Sequence, residues 1–275
     1  MNRQLKRREG VIIGRGIQWT DYTWNPIGGC KHACRWVMPD GTIAICYSET
    51  TSITFPRTYA EGFEHHYWRP HMLQDPVNHL EPARIFLDSM SDLMGAWVPE
   101  VQIKQVLDVC RNAPWHDFQL LTKNPGRLTK FDFPENLWVG VSSPPDFMKG
   151  NRLSIGQQEQ MLAKSLRVLA DIEVPVRWMS IEPLSWKVSK IISDHAPLSW
   201  AVIGAATNGR KVYQPLSQHV ADLLEVFDKQ HVPVFFKGNL WGNPAAEPWR
   251  EYFPNFEASP YMAMRLDAHA VPAVD

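Results

Sequence analysis

Long hydrophobic runs are missing from this chain of 275 residues. None approaches the roughly 18 apolar residues of a membrane span, and the longest, such as the run from Trp200 to Ala206, are strand-sized. No membrane partner is therefore expected. The N-terminus (Met1-Asn2-Arg3-Gln4-Leu5-Lys6-Arg7-Arg8) has no apolar segment behind it, so no secretory signal is read there and a cytoplasmic setting is expected. An excess of either charge is also missing: 28 Lys and Arg oppose 29 Asp and Glu, a net charge of −1. Only local patches can then favour a polyanion. Cysteine is scarce, at four residues in all. That excludes a disulfide scaffold, and in a reducing compartment it makes clustered thiols candidates for metal ligation or catalysis.

What is present is a globular composition, 44% hydrophobic and 21% charged, sufficient for a sizeable core. Short β-branched or aromatic runs predict strands at 16–24, 83–87, 118–122, 137–141, 176–181, 200–203 and 234–236. Apolar residues at helical spacing predict helices at 99–112, 157–171 and 216–231. Within 157–171, for example, Met161, Leu162, Leu166 and Leu169 alternate with charged residues. Strands separated by such helices imply βαβ units and a mostly parallel sheet. About six or seven units are counted, which predicts an α/β fold between a partial (β/α)6-type and a full TIM-like barrel. An open doubly wound sheet fits the same count. Either way the chemistry belongs at the C-terminal ends of the strands. The organisation expected is a basic arm at 1–15, a barrel domain at 16–253 and a tail at 254–275.

The strongest local signal is Cys30-Lys31-His32-Ala33-Cys34, followed after eleven residues by Cys46-Tyr47. Three thiolates on one loop can hold three irons of a cubane 4Fe–4S cluster and leave the fourth iron open. Gly28 and Gly29 would let the backbone turn closely beside it. The chemical rival is zinc, held by the three cysteines with His32, His65 or His66, although zinc loops usually carry two-residue spacings. Three unrelated cysteines are the blandest alternative. Cys110, on the apolar face of helix 99–112, reads as a packed core thiol.

With this loop the chain resembles the radical S-adenosylmethionine (SAM) superfamily, and more closely its phage-encoded three-cysteine family. The motifs that carry the resemblance run in order: Trp19-Thr20-Asp21, Thr23-Trp24-Asn25-Pro26, Gly29-Cys30, Cys46-Tyr47 and Ser89-Met90-Ser91-Asp92-Leu93. They continue with Leu120-Leu121-Thr122-Lys123, Trp138-Val139-Gly140-Val141-Ser142, Ser180-Ile181-Glu182-Pro183-Leu184, Trp200-Ala201-Val202-Ile203-Gly204 and Phe235-Phe236-Lys237. The resemblance implies that Cys30, Cys34 and Cys46 ligate a 4Fe–4S cluster and that SAM chelates its open iron. Cleavage of SAM then gives a 5′-deoxyadenosyl radical that abstracts a substrate hydrogen, with a flavodoxin or ferredoxin as electron donor. SAM would be received by Asp88, Ser89, Ser91 and Asp92, which otherwise read as a helix N-cap cluster. Ser142, Ser143 and Tyr47 are further expected contacts. Glu182 would accept ribose hydroxyls or a substrate amine, or else pair with Lys123 or Lys237. Lys123, Asn208 and Lys237 all end strands, so a cationic mouth suited to carboxylate or phosphate is expected, with Glu182, Lys123 and Lys237 as the catalytic set. Two departures stand out. The second cysteine gap is eleven residues where the superfamily usually has two, and Ile45 precedes the last cysteine where an aromatic residue is common.

For the substrate, Arg3, Lys6, Arg7 and Arg8 form a basic arm of the kind that binds phosphate backbones. Trp36, Tyr67 and Trp68 could stack a base, while His65, His66 and His71 read as a polar loop packed by aromatics. The resemblance implies a phage DNA substrate, with radical rearrangement or modification of an amino-acid-decorated thymine, as by an isomerase or mutase. A radical enzyme acting on a peptide or small molecule, and a non-catalytic binding protein stapled by zinc or a cluster, stay open as alternatives.

Overall fold

The structure, a computed structural model, describes residues 1–4, 7–8, 11–12, 16–195, 198–209 and 211–240. The expected tail at 254–275 and Lys6 of the basic arm lie outside the described residues. One sheet of eight strands organises the molecule: β1 (Asn2–Arg3), β2 (Tyr22–Trp24), β3 (Arg84–Leu87), β4 (Asp117–Thr122), β5 (Leu137–Ser142), β6 (Arg177–Ile181), β7 (Trp200–Ile203) and β8 (Val234–Phe236). Spatial order follows chain order, and every pairing from β2 to β8 is parallel. Only β1 runs antiparallel, on the edge beside β2. Seven parallel strands make this a partial barrel rather than a closed one.

The curl of the sheet follows from its side-chain alternation, since neighbours along a strand face opposite sides. One set (Ile85, Leu87, Phe118, Leu120, Val139, Val141, Met179, Ile181, Ala201, Ile203) packs outward under the helices. The other set (Phe86, Trp138, Trp178, Trp200, Val202, Phe235) meets in the lumen. There Trp19 touches Phe86 of β3 at 4.7 Å and Trp178 of β6 at 5.1 Å between ring centroids. A flat sheet would hold β3 and β6 too far apart for one indole to contact both. Trp178 continues to Trp200 at 5.3 Å, and Trp200 to Trp138 at 5.6 Å. Aromatic rings therefore fill the lower barrel.

The helices longer than a single turn are α1 (Tyr47–Ile53), α2 (Glu100–Asn112), α3 (Ile155–Asp171), α4 (Ser189–His195) and α5 (Ser217–Gln230). α2 buries Ile103, Val106, Leu107 and Cys110, so Cys110 is a core thiol. α3 opens on a capping box in which Ser154 and Gln157 satisfy each other's end of the turn. Among the described residues no helix is long and apolar enough to cross a membrane.

Two expectations need correction. The first strand is not 16–24 but only Tyr22–Trp24, because the chain turns at residues 18–19 and drops the Trp19 ring into the lumen. The start of the expected arm is not separate from the barrel: Asn2–Arg3 pairs with Tyr22 and Thr23 as the edge strand, and Arg7–Arg8 pairs antiparallel with Val11–Ile12.

Candidate functional site

The same alternation builds the site. Beyond the lumen-facing positions in steps of two, at the C-terminal ends of the strands, stand Asp88 after Phe86, Lys123 after Leu121, Ser180 and then Glu182 after Trp178, and Lys237 after Phe235. All of them, with Ser142 from β5, line one cavity of 390 Å³. Trp19 is part of its floor, and Cys30, Cys34 and Cys46 line it too.

The eleven residues between Cys34 and Cys46 fold as an antiparallel hairpin, Arg35–Val37 against Ile43–Ile45, with Arg35 opposite Ile45. In that register the residues flanking the hairpin are neighbours, and the Cys46 amide donates to the Cys34 carbonyl at 3.3 Å. An insertion that is long in sequence thus costs little separation in space. Its tip is tied to a second hairpin, Ala206–Asn208 with Lys211–Tyr213. Asp40 accepts from Lys211 and from the Tyr213 hydroxyl, the latter at 2.9 Å. Met38, Ala44, Ala206 and Tyr213 pack between the two hairpins. Trp36, Ala44, Ala206 and Thr207 are walls of the cavity.

Burial dominates the electrostatics here. It pushes the Cys30 thiol well above the ordinary cysteine range, with the Asp92 carboxylate adding to the effect. Cys34 is raised to about 11, chiefly by burial, with Lys123 pulling the other way. Burial opposes the charge of Lys123, yet the thiols of Cys34 and Cys46 and the Asp92 carboxylate hold its pKa above the usual lysine value. Burial also opposes ionisation of Asp92, but the hydrogen bond and charge of His32 (Nε2 to Oδ2, 2.7 Å) and the Lys123 amide outweigh it and hold its pKa below normal. Asp88 is the opposite case: burial raises it well above the carboxylate range. Its Oδ1 accepts from the Ile27 amide at 3.0 Å, while Oδ2 is buried without a hydrogen-bond partner. Across the cavity, Glu182 pairs with Lys237 at 2.8 Å and accepts from Trp19 Nε1 and Ser180 Oγ at 3.3 and 3.2 Å. Gly204 makes room for that pair, since a Cβ there would meet Glu182 Oε1 and Lys237 Cδ at 3.0 Å.

Of the residues singled out from the sequence, the cavity brings together Cys30, Cys34, Cys46, Tyr47, Asp88, Ser89, Ser91, Asp92, Lys123, Ser142, Glu182 and Lys237. It leaves out Ser143, which follows the lumen-facing end of β5, is buried, and whose amide bonds the Ser180 carbonyl. It also leaves out Asn208, exposed on the second hairpin. Trp36 is buried but forms part of the cavity wall. His65 faces Glu61, and His66 bonds Gln102 Oε1 at 2.7 Å, so neither reaches the thiols as a zinc ligand. His32 does line the cavity, with Nε2 held by Asp92 and Nδ1 buried without a hydrogen-bond partner. Trp19 and Ser180 were not read as members of the site, and His32 only as a zinc ligand; period-two counting back from Glu182 would have found Ser180.

Three thiols facing an open cavity, with a cation beside them, are a donor set that fits a cluster with one free corner. Among the described residues no three His, Cys, Asp or Glu side chains converge as a ready-made metal-holding group. The thiols form a wall here, and binding of a metal would draw them together and release their protons.

Fold and cavity define the molecule as an α/β partial barrel with a cysteine-lined pocket at the C-terminal ends of its strands. The chain belongs to the family described as Protein of unknown function (DUF5131), which it matches over residues 15–252. No curated protein matches it. Among solved structures it is similar to a spore photoproduct lyase complexed with dinucleoside spore photoproduct, at 10% identity and TM-score 0.43, covering 76% of this chain and 62% of the other. A point mutant of spore photoproduct lyase gives 10% identity and TM-score 0.46, covering 83% and 79%. Another mutant, with bound AdoMet and dinucleoside spore photoproduct, gives 11% and 0.40, covering 74% and 59%. The chain thus spans less than two thirds of the first lyase chain. These are distant likenesses, and the fold class rests on the sheet itself.

Proposed function

We propose that this protein is a radical SAM enzyme that abstracts hydrogen from a nucleobase. The observation that carries the reading is the hairpin register that returns Cys46 to Cys34, so that three cysteines line one cavity despite the eleven-residue insertion. Cys30, Cys34 and Cys46 would hold a 4Fe–4S cluster, and Lys123 would offset the charge of their thiolates. A bound cluster with SAM supplies one-electron chemistry at unactivated carbon. Asp88, with one buried oxygen unpartnered, is the acceptor for an ammonium group. The Glu182–Lys237 pair on the far wall orients the substrate or the SAM ribose, and Trp19 holds that pair from below. The two hairpins keep water from the reacting atoms.

A base carbon such as a thymine 5-substituent offers no acidic proton, and radical chemistry is suited to it. The finer reading is rearrangement or modification of an amino-acid-decorated thymine in phage DNA, with electrons from a flavodoxin or ferredoxin. The test supplies anaerobic, reconstituted protein with SAM, a strong reductant and modified phage DNA. Release of 5′-deoxyadenosine together with a changed nucleoside digest supports the proposal. Release without any change in the nucleosides removes the DNA substrate, and absence of release from a cluster-loaded protein removes the radical activity.

A further inference from the structure

A carboxylate has about four lone-pair sites, and those of Asp92 are all in use. Oδ1 accepts from Thr122 Oγ1 at 2.8 Å and from the Met94 amide at 3.0 Å; Oδ2 accepts from His32 Nε2 at 2.7 Å and from the Lys123 amide at 2.9 Å. Little is left for a ligand. The turn that leads to it is bonded to the cysteine loop as well. Ser91 Oγ donates to the Gly29 carbonyl at 2.6 Å, and the Met90 carbonyl accepts from the Gly29 amide at 3.0 Å. The Ser89 carbonyl accepts from Tyr47 OH at 2.7 Å and Ser48 Oγ at 2.8 Å, while the Ser89 hydroxyl donates to Asn25 Oδ1 at 3.0 Å.

These bonds share a pattern. Gly29 precedes Cys30, His32 lies between Cys30 and Cys34, and Tyr47 and Ser48 follow Cys46. One four-residue turn therefore grips a neighbour of each of the three cysteines. We infer that residues 89–92 are a brace that sets the cysteine thiols, with His32 and Asp92 as its positioning pair, and that Asp92 is not a ligand contact. His32 suits such a role because it is buried, its ring lies edge-on to Trp97 at 5.0 Å, and its carbonyl accepts from the Lys149 amide at 2.6 Å. Side chain and backbone are thus held from opposite sides. The inference rests on the proposed function only for what the thiols hold; the brace itself is a property of the metal-free chain.

The test is made on full-length, metal-free protein. Each cysteine is alkylated with iodoacetamide at fixed pH and quantified by mass spectrometry, with Cys110 as internal reference. His32→Phe removes the bond to Asp92, whereas His32→Gln places a donor close to the position of Nε2. Loss of a charge-assisted hydrogen bond should open the loop about tenfold or more. Cys30 and Cys34 should then alkylate at least about tenfold faster in H32F, while Cys46 and Cys110 change little and H32Q stays close to wild type. If H32F does not fold, Asp92→Asn is the second variant, with the same cysteines expected to respond in the pH-independent rate of their thiolates, because loss of the Asp92 charge by itself lowers the pKa of Cys30 and Cys34. Unchanged rates at Cys30 and Cys34 in a folded variant overturn the brace. Iron and sulfide uptake by the wild type, measured alongside, tests the separate reading: no uptake with the alkylation pattern intact removes the cluster and leaves the brace.

Discussion

Two adjacent glycines before the first cysteine should respond differently to the same added methyl group. Gly29 has φ +82°, and a Cβ there would lie 1.7 Å from the His65 carbonyl oxygen and 2.9 Å from that of Phe63. Both obstacles are backbone. An alanine in left-handed conformation costs about 1–2 kcal/mol. Moving residues 63–65 aside also threatens the bond from the Cys30 amide to the Phe63 carbonyl, 2.8 Å, for about 1 kcal/mol more. Gly29→Ala should therefore destabilise by roughly 2–3 kcal/mol. At Gly28 the nearest atoms to an added Cβ are those of the Arg69 guanidinium, with Nη1 at 2.3 Å, which is the far end of a flexible side chain. Arg69 can swing away, giving up its bond to the Asn25 carbonyl and its place over the Tyr59 ring, for about 1 kcal/mol. Urea unfolding of the two metal-free variants measures the gap. A Gly29→Ala variant no less stable than Gly28→Ala would refute the close approach of the cysteine loop to residues 63–65.

Gly140→Ala should cost about 1–3 kcal/mol in urea unfolding, because its Cβ would meet the Trp178 indole at 2.5 Å and Trp19 and Trp200 cage that ring; a near-neutral result would mean the lumen is loosely filled. Asp88 carries a pH signature. Its folded-state pKa is raised, so its contribution to stability is complete below the unfolded value of roughly 3.9 and is lost as pH rises through the folded value. Asp88→Asn cannot titrate, can still accept from the Ile27 amide and tolerates φ 50°, so its stability relative to wild type should improve from pH 4 to pH 8; a flat difference refutes the shift. Asp40→Asn weakens the tie to Lys211 and Tyr213, and hydrogen exchange should quicken at 35–45 and 206–213 but not in β4 to β6. Equal exchange would mean that the apolar contacts alone join the hairpins.

Strands and long helices were legible because burial writes itself into the sequence with period 2 or 3.6. β3 to β8 and helices α2, α3 and α5 fall where alternation or helical spacing put them, to within a few residues at their ends. The strand ending at Trp24 was overextended because Ile17 and Trp19 are apolar for a different reason, packing in the lumen from a turn. The insertion hairpin was not legible: its inward residues Trp36 and Ala44 are few, and Ile43 and Ile45 face outward. That concealed how Cys46 returns to Cys34. Residue types at 88–92 suggested ligand contacts; that the Asp92 carboxylate is fully hydrogen-bonded while Asp88 keeps one buried oxygen unpartnered is visible only in three dimensions. One step of the alternation puts Ser142 on the cavity and Ser143 off it.

What the three cysteines hold matters most for the proposed chemistry, and metal analysis of anaerobically purified protein measures it directly. A cluster site predicts about four irons per chain with matching sulfide. It also predicts a visible band that dithionite bleaches, lost in Cys30→Ala, Cys34→Ala and Cys46→Ala but kept in Cys110→Ala. A single colourless zinc ion, or an iron chromophore that survives loss of Cys30, would contradict it.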